Sequence, residues 1–154
     1  MREFFHRRRE KHHRLPLHCY RGHVVVAFHV SVSKHRPIFA KAATVDVVRG
    51  MLRTAMEKHL CAVVAYCFMP DHVHLVVRGT SPEADAWAAM CEWKGVSGRW
   101  LAGNLGAVWQ KDFYDEVLTI EEAVEDTVRY VLSNPVEGGL VKEEEEYPFA
   151  GRGL

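Results

Sequence analysis

The sequence predicts an α+β fold in which two helices cover one face of a four-stranded antiparallel sheet. Short runs of β-branched and aromatic residues alternate with longer stretches whose apolar residues recur every three or four positions. The resulting order is strand, helix, strand, strand, helix, strand, followed by one more helix. The β-α-β-β-α-β part is typical of the ferredoxin-like, or split βαβ, arrangement. We therefore expect two crossover helices on the sheet and a C-terminal helix outside this core unit.

Each predicted element depends on a local pattern. The strand runs are nearly continuous in apolar residues, while each helical stretch carries one apolar stripe. Pro70 and Asp71 predict a tight turn between the second and third strands, and Pro135 is expected to end the last helix at Asn134. The predicted strands are residues 23–33, 61–68, 72–78 and 113–118. The predicted helices are residues 44–59, 80–101 and 120–134.

The composition is that of one globular domain. The chain has 154 residues, and domains commonly contain about 100–200. Its four cysteines form no C-x-x-C pair, which favours reduced thiols over a disulfide scaffold. The first residues lack the apolar segment of a signal peptide, and no apolar run approaches the length of about 20 residues that spans a membrane. We expect a cytoplasmic protein with a basic arm, residues 1–22, and a single domain, residues 23–154.

The net charge of zero hides an asymmetry along the chain. Residues 1–58 contain 13 Lys and Arg against 4 Asp and Glu, whereas residues 59–154 contain 7 against 16. Such a basic half is typical of a surface that binds nucleic-acid phosphates, although basic residues also keep small proteins soluble. A solvated helix face explains Lys94 and Arg99 equally well. The candidates for phosphate contacts are Arg7, Arg8, Arg9, Lys11, Arg14, Arg36, Lys94, Arg99 and Lys111.

Two histidines stand two residues apart at the start of the third predicted strand. Because successive side chains of a strand point to opposite faces, His72 and His74 share one face while Val73 and Leu75 share the other. Two neighbouring imidazoles form half of a metal site. In a chain with 10 histidines, about half such a pair is expected by chance, so two solvent-facing histidines are the alternative.

The last predicted helix adds a phenol and a carboxamide on one flank. Tyr130 and Asn134 are four residues apart, so they lie one turn from each other. Two imidazoles and an amide oxygen can hold a divalent cation with positions open for a phosphate, and tyrosine can attack phosphorus. A tyrosine at a core edge and an asparagine before proline also occur for purely structural reasons. Tyr114 is a rival nucleophile, because it too lies near a strand end in the C-terminal half.

Five segments in the same order and spacing link the chain to a known family. The chain resembles the REP-associated tyrosine transposases, within the single-tyrosine HUH transposases of insertion sequences, from about His18 to Ala150. No segment is decisive alone, but the ordered set is highly specific. The matching segments are residues 36–39, 67–76, 109–115, 130–141 and 147–149.

This resemblance implies a site and a reaction. In the family, the HUH histidines bind a divalent metal, which here means His72 and His74, and the third ligand corresponds to Asn134. The nucleophile corresponds to Tyr130, and Mg²⁺ or Mn²⁺ is the expected metal. The family cleaves single-stranded DNA near hairpins, leaving a 5′-phosphotyrosine and a free 3′-OH, and then rejoins strands. The resemblance thus implies one HUH transposase domain that binds hairpin-bearing single-stranded DNA, and it leaves both a homodimer and a monomer open.

One departure from the family keeps a second interpretation open. Glu137 and Gly138 stand where the family usually has a basic residue and an alanine. An acid there weakens phosphate binding nearby, so a domesticated DNA-binding module without cleavage activity is the alternative to an active transposase. A protein-binding or metal-storage module that uses the many histidines is a further alternative.

Overall fold

The computed structural model describes residues 15–154, in which five strands and three α-helices are joined by loops and short 3-10 helices. The candidate phosphate contacts Arg7, Arg8, Arg9, Lys11 and Arg14 therefore lie outside the described residues. The strands are β1 (Val25–Ser31), β2 (Cys61–Met69), β3 (His72–Gly79), β4 (Tyr114–Leu118) and β5 (Ala150–Arg152). The helices are α1 (Ala42–Lys58), α2 (Ala86–Leu105) and α3 (Glu121–Glu137).

All strand pairs are antiparallel, in the order β4-β1-β3-β2-β5. The predicted α+β class is confirmed, but the sheet has a fifth strand that the sequence pattern did not predict. This short strand pairs Ala150 with Cys67 on β2, next to a hydrogen bond from the Phe68 N–H to the Phe149 carbonyl (2.8 Å). Its pairing depends on backbone groups rather than on alternating side chains, which explains why the sequence carried no strand signal there.

The helices cover both faces of the sheet. On one face, Phe28 packs with Leu52 of α1 and Trp93 of α2 in the larger of two apolar clusters. On the other face, Ala27 and its neighbours pack with Val128 and the other buried valines of α3. Alternate residues of β1 thus contact different helix layers, and α3 is the helix that covers the second face.

Helix α2 begins and ends later than predicted. Asp85 caps its N-terminus by accepting a hydrogen bond from the backbone N–H of Ala88 at 2.9 Å, so the helix begins at Ala86 rather than at residue 80. At the other end the helix continues to Leu105, where Gly106 adopts a left-handed φ of 59°. The predicted start at residue 80 is therefore wrong, because the capping carboxylate lies five residues further on.

Helix α3 continues through Pro135 to Glu137, so the predicted end at Asn134 is also wrong. Proline lacks the N–H of a helical hydrogen bond and disfavours helix at the preceding residue. Here Pro135 is buried, and the Gly138 N–H donates to the Asn134 carbonyl at 2.8 Å, which closes the last turn. Tertiary packing outweighs the local preference, and Asn134 stays helical one turn after Tyr130.

The core extends into the segment predicted as an arm. Tyr20 lies in a short 3-10 helix (Leu17–Tyr20) and is fully buried, and its hydroxyl donates to a carboxylate oxygen of Asp115 at 2.5 Å. This contact joins the segment before β1 to strand β4. In the part of the chain that the structure describes, every helix is too short or too polar to cross a membrane.

Candidate functional site

Three histidines meet on the face of the sheet that α3 covers. His29 on β1 is paired directly with His74 on β3, and His72 lies two residues before His74 on the same face. The ring centroid of His29 lies 4.5 Å from that of His74 and 4.9 Å from that of His72. The rings of His72 and His74 are 4.8 Å apart. One nitrogen from each ring lies within 4.8 Å of the other two, which makes this trio a candidate metal site.

Asp71 orients His72. The Asp71 Oδ1 lies 2.7 Å from Nδ1 of His72, and Oδ2 lies 3.2 Å from Nδ1 of His35. Burial raises the pKa of Asp71, but the hydrogen bond to His72 and the charges of His72 and His35 outweigh it, so this pKa lies below its usual value. The ionised carboxylate can only accept a hydrogen bond, so Nδ1 of His72 is the donor. Nε2 of His72 is then the nitrogen that can bind a cation.

His74 is held as a neutral imidazole. It is 2% exposed, and burial, followed by the charges of His29 and His72, lowers its pKa well below the usual value. A neutral imidazole keeps a lone pair for a cation, whereas an imidazolium has none. The most buried member of the trio is thus in the protonation state that metal binding requires.

Two tyrosines flank the histidines. Tyr130 on α3 packs edge-on against His74, with ring centroids 5.8 Å apart. Tyr114 on β4 pairs in register with His29, and its ring centroid lies 5.9 Å from the His29 ring. The structure therefore brings the predicted nucleophile against His74 and brings its rival equally close to a different histidine, His29.

Asn134 lies on the predicted flank of α3. Its side-chain nitrogen Nδ2 donates to the backbone carbonyl of Tyr130 at 3.1 Å. That bond uses the donor end of the carboxamide, and the oxygen Oδ1 is the atom that a cation would bind. This hydrogen bond holds the amino end of the Asn134 side chain against the backbone of its own helix.

His29 is the site residue that sequence reasoning missed. It lies within the predicted strand 23–33, and no other histidine stands two residues from it, as His74 does from His72. A signal did exist in the predicted element order, because a split βαβ sheet places the first strand beside the third. The register that pairs His29 with His74 could not be deduced from that order.

Two of the predicted phosphate contacts have structural partners. Arg36 donates from its guanidinium to the carbonyls of Leu105 (3.0 Å) and Gly106 (2.8 Å), at the C-terminus of α2. Lys94 donates from Nζ to the carbonyls of Gln110 (2.8 Å) and Lys111 (3.1 Å). Arg36 and Lys94 thus brace loops. Lys111 and Arg99 are exposed, and Arg99 lies on α2, the helix layer on the opposite side of the sheet from the histidines.

A large part of the chain matches a known protein family. Residues 22–134 match the model of the family described as transposase IS200 like, and this range covers more than half of the chain. The chain therefore belongs to the IS200-like transposases. The matched range contains all three histidines, Tyr130 and Asn134.

Within this family, the similarity is to REP-associated tyrosine transposases, which confirms the resemblance found in the sequence. The Escherichia coli K12 REP-associated tyrosine transposase is 28% identical over 87 residues, which are 56% of this chain and 51% of that protein. A candidate REP-associated tyrosine transposase of Haemophilus influenzae is 20% identical over 118 residues, covering 69% of this chain and 67% of the relative. The chain thus spans about half to two thirds of these relatives.

Solved structures support the fold. The structure resembles that of a REP-associated tyrosine transposase bound to a REP hairpin, with a TM-score of 0.74 and 20% identity over 85% of this chain and 78% of that chain. It also resembles a candidate transposase from Deinococcus radiodurans, with a TM-score of 0.50 and 20% identity over 72% of this chain and 90% of that chain. At these identities the likeness establishes the fold alone.

Proposed function

We propose that this protein cleaves and rejoins single-stranded DNA beside a hairpin, with Tyr130 as the nucleophile. One observation carries the proposal: the Tyr130 phenol ring lies edge-on to His74, 5.8 Å between centroids, at a cluster of three histidines. Membership of a transposase family supports the reaction class. The hairpin substrate is suggested by the structurally similar transposase, which is bound to a REP hairpin.

The proposed reaction exchanges one phosphate ester for another. The phenolic oxygen of Tyr130 attacks the scissile phosphorus, so that a bond from phosphorus to tyrosine oxygen forms and the P–O3′ bond breaks. The tyrosine proton goes to water, and the departing 3′ oxygen takes a proton from water. The 5′ end stays attached as a phosphotyrosine. Attack by a 3′-OH on this ester reverses the step and joins strands, so no co-reactant is consumed.

The residues present fit a divalent cation, with His72, His74 and Asn134 as its ligands. His74 offers a neutral nitrogen, and the hydrogen bond from His72 to Asp71 leaves Nε2 as the metal-binding nitrogen of His72. Asn134 offers an amide oxygen one helical turn after Tyr130. When bound by these residues, Mg²⁺ or Mn²⁺ would supply Lewis-acid chemistry that offsets negative charge on the phosphate oxygens. A phenol has a pKa of about 10 in water, so Tyr130 needs such a cationic setting to lose its proton.

The decisive experiment compares two tyrosine variants of the full chain. A hairpin-bearing oligonucleotide that traps the covalent intermediate is incubated with Mn²⁺, and mass spectrometry locates the modified residue. We expect Tyr130→Phe to abolish the adduct and to leave DNA binding intact, while Tyr114→Phe, the matched control, retains the adduct. An adduct that survives Tyr130→Phe and disappears in Tyr114→Phe overturns the assignment.

One observation favours a DNA-binding module without cleavage as the second candidate. Glu137 is exposed at the last residue of α3, the helix that carries Tyr130 and Asn134, and a negative charge there disfavours phosphates that bind near this end of the helix. If the wild-type chain binds the hairpin oligonucleotide but forms no adduct with Mn²⁺ or Mg²⁺, this candidate is correct. Restored cleavage in Glu137→Lys then identifies the carboxylate as the cause.

A further inference from the structure

We infer that His29 is an additional protein ligand of the cation, beside the His72, His74 and Asn134 proposed above, and that the three imidazoles of His29, His72 and His74 make the site select Mn²⁺, Co²⁺ or Zn²⁺ over Mg²⁺. This inference rests on the proposed metal-dependent function for its biological meaning. Its physical content is metal binding, which is measured without DNA and without cleavage.

The position of His29 is determined by the sheet. It lies on β1, between β3 and β4, and its partner across the ladder is His74 itself. Residues paired across antiparallel strands have side chains about 4.5–5.5 Å apart at Cβ, on the same face. The central strand therefore carries the third imidazole to the two on β3, and this requires no loop movement.

The distances bring the three rings near to coordination geometry. Two nitrogens that bind one ion tetrahedrally at about 2.1 Å are about 3.4 Å from each other. The candidate nitrogens of the trio lie within 4.8 Å of one another. The widest pair thus needs to close by up to about 1.4 Å, and this movement has to come from rotation of the side chains on metal binding. Nε2 of His72 is already directed away from Asp71 by the hydrogen bond at Nδ1.

The ligand type decides which cation is preferred. Mg²⁺ binds oxygen ligands and keeps much of its water, whereas imidazole nitrogen suits Mn²⁺ less than Co²⁺ and Zn²⁺ in the usual order of affinities. A site of two imidazoles and one amide oxygen accepts either class of ion. Adding His29 shifts the donor set towards nitrogen, so the trio is expected to bind Co²⁺ and Zn²⁺ most tightly and Mg²⁺ most weakly.

The test is a titration of the full chain with Co²⁺ in the absence of DNA, followed by calorimetry with Mn²⁺ and Mg²⁺. We expect His29→Asn to weaken Co²⁺ binding by at least about 100-fold, since loss of an outer-shell partner alone costs about 10–100-fold. His23→Asn is the matched control, because His23 is exposed two residues before β1 begins. The inference is overturned if His29→Asn binds Co²⁺ as tightly as the wild type while His72→Asn loses Co²⁺ binding. It is also overturned if the wild type binds Mg²⁺ and Mn²⁺ with equal affinity.

A second variant keeps the test informative if His29→Asn fails to fold. His29→Cys replaces the imidazole by a thiolate ligand, and a thiolate bound to Co²⁺ adds a ligand-to-metal charge-transfer band in the near ultraviolet. A band in His29→Cys that is missing in His23→Cys supports ligation, and identical spectra refute it. The adduct assay tests the proposed reaction separately. If Co²⁺ binding depends on His29 but the chain cleaves no DNA, this inference holds and the proposed reaction is wrong.

Discussion

Replacement of Asp71 by asparagine is expected to weaken metal binding by about tenfold. The Asp71 carboxylate accepts a hydrogen bond from Nδ1 of His72 at 2.7 Å, and a hydrogen bond with one charged partner contributes about 1.5–3 kcal/mol. Since 1.4 kcal/mol is about a factor of ten in affinity, the full range is about 10- to 150-fold. The Asp71 side chain is 31% exposed, so solvent screening places the effect at the lower end of this range.

The assay is isothermal titration of the full chain with Mn²⁺, with thermal unfolding of each variant measured alongside. Asp46→Asn is the matched control, because Asp46 is exposed on α1, across the sheet from the histidines, and forms its own ion pair with Arg49 at 2.9 Å. We expect the control to bind Mn²⁺ like the wild type. Unchanged Mn²⁺ affinity in a folded Asp71→Asn variant would show that Asp71 does not orient His72.

The second contact of Asp71 separates orientation of His72 from general electrostatics. His35 lies 3.2 Å from the other carboxylate oxygen, but its side chain is 72% exposed. Exposed ion pairs contribute about 0–1 kcal/mol. His35→Asn is therefore expected to change Mn²⁺ affinity by less than about threefold. If His35→Asn weakens Mn²⁺ binding as much as Asp71→Asn does, the contact between Asp71 and His35, rather than orientation of His72, explains the loss of affinity.

Three further predictions concern stability, thiol reactivity and DNA binding. Val128→Ala, in the buried face of α3, is expected to lower the free energy of unfolding in urea by about 2 kcal/mol. The control Val108→Ala, at a residue 53% exposed, is expected to lower it by less than about 0.5 kcal/mol. Burial raises the pKa of the Cys61 thiol to about 11 and that of the Cys67 thiol to about 12, so both stay protonated at pH 8. A thiol reagent should therefore modify exposed Cys91 before these two, and earlier modification of Cys61 or Cys67 would contradict the prediction. Single-stranded DNA affinity should fall steeply with salt, because phosphate contacts release counterions; salt-independent binding would favour a protein-binding or metal-storage module.

Several features were predictable because their causes are local. The turn at Pro70 and Asp71 joins β2 to β3, as turn residues between two apolar runs predict. The stripe over residues 44–59 corresponds to α1, and its observed bounds differ by two residues or fewer. In contrast, the start of α2 and the end of α3 depend on a capping carboxylate and on the burial of Pro135, and neither appears in a periodic pattern.

The sequence by itself determined the fold class, the shared face of His72 and His74, and the turn of helix that relates Tyr130 to Asn134. Each of these follows from the periods of strands and helices. Only the tertiary structure decided that His29 and Tyr114 join them, because that depends on the register of β1 against β3 and β4. A shift of one residue in either ladder would turn these side chains to the other face. Register between strands far apart in the chain comes from the packing of both sheet faces at once, so the full trio of histidines becomes visible only in the folded molecule.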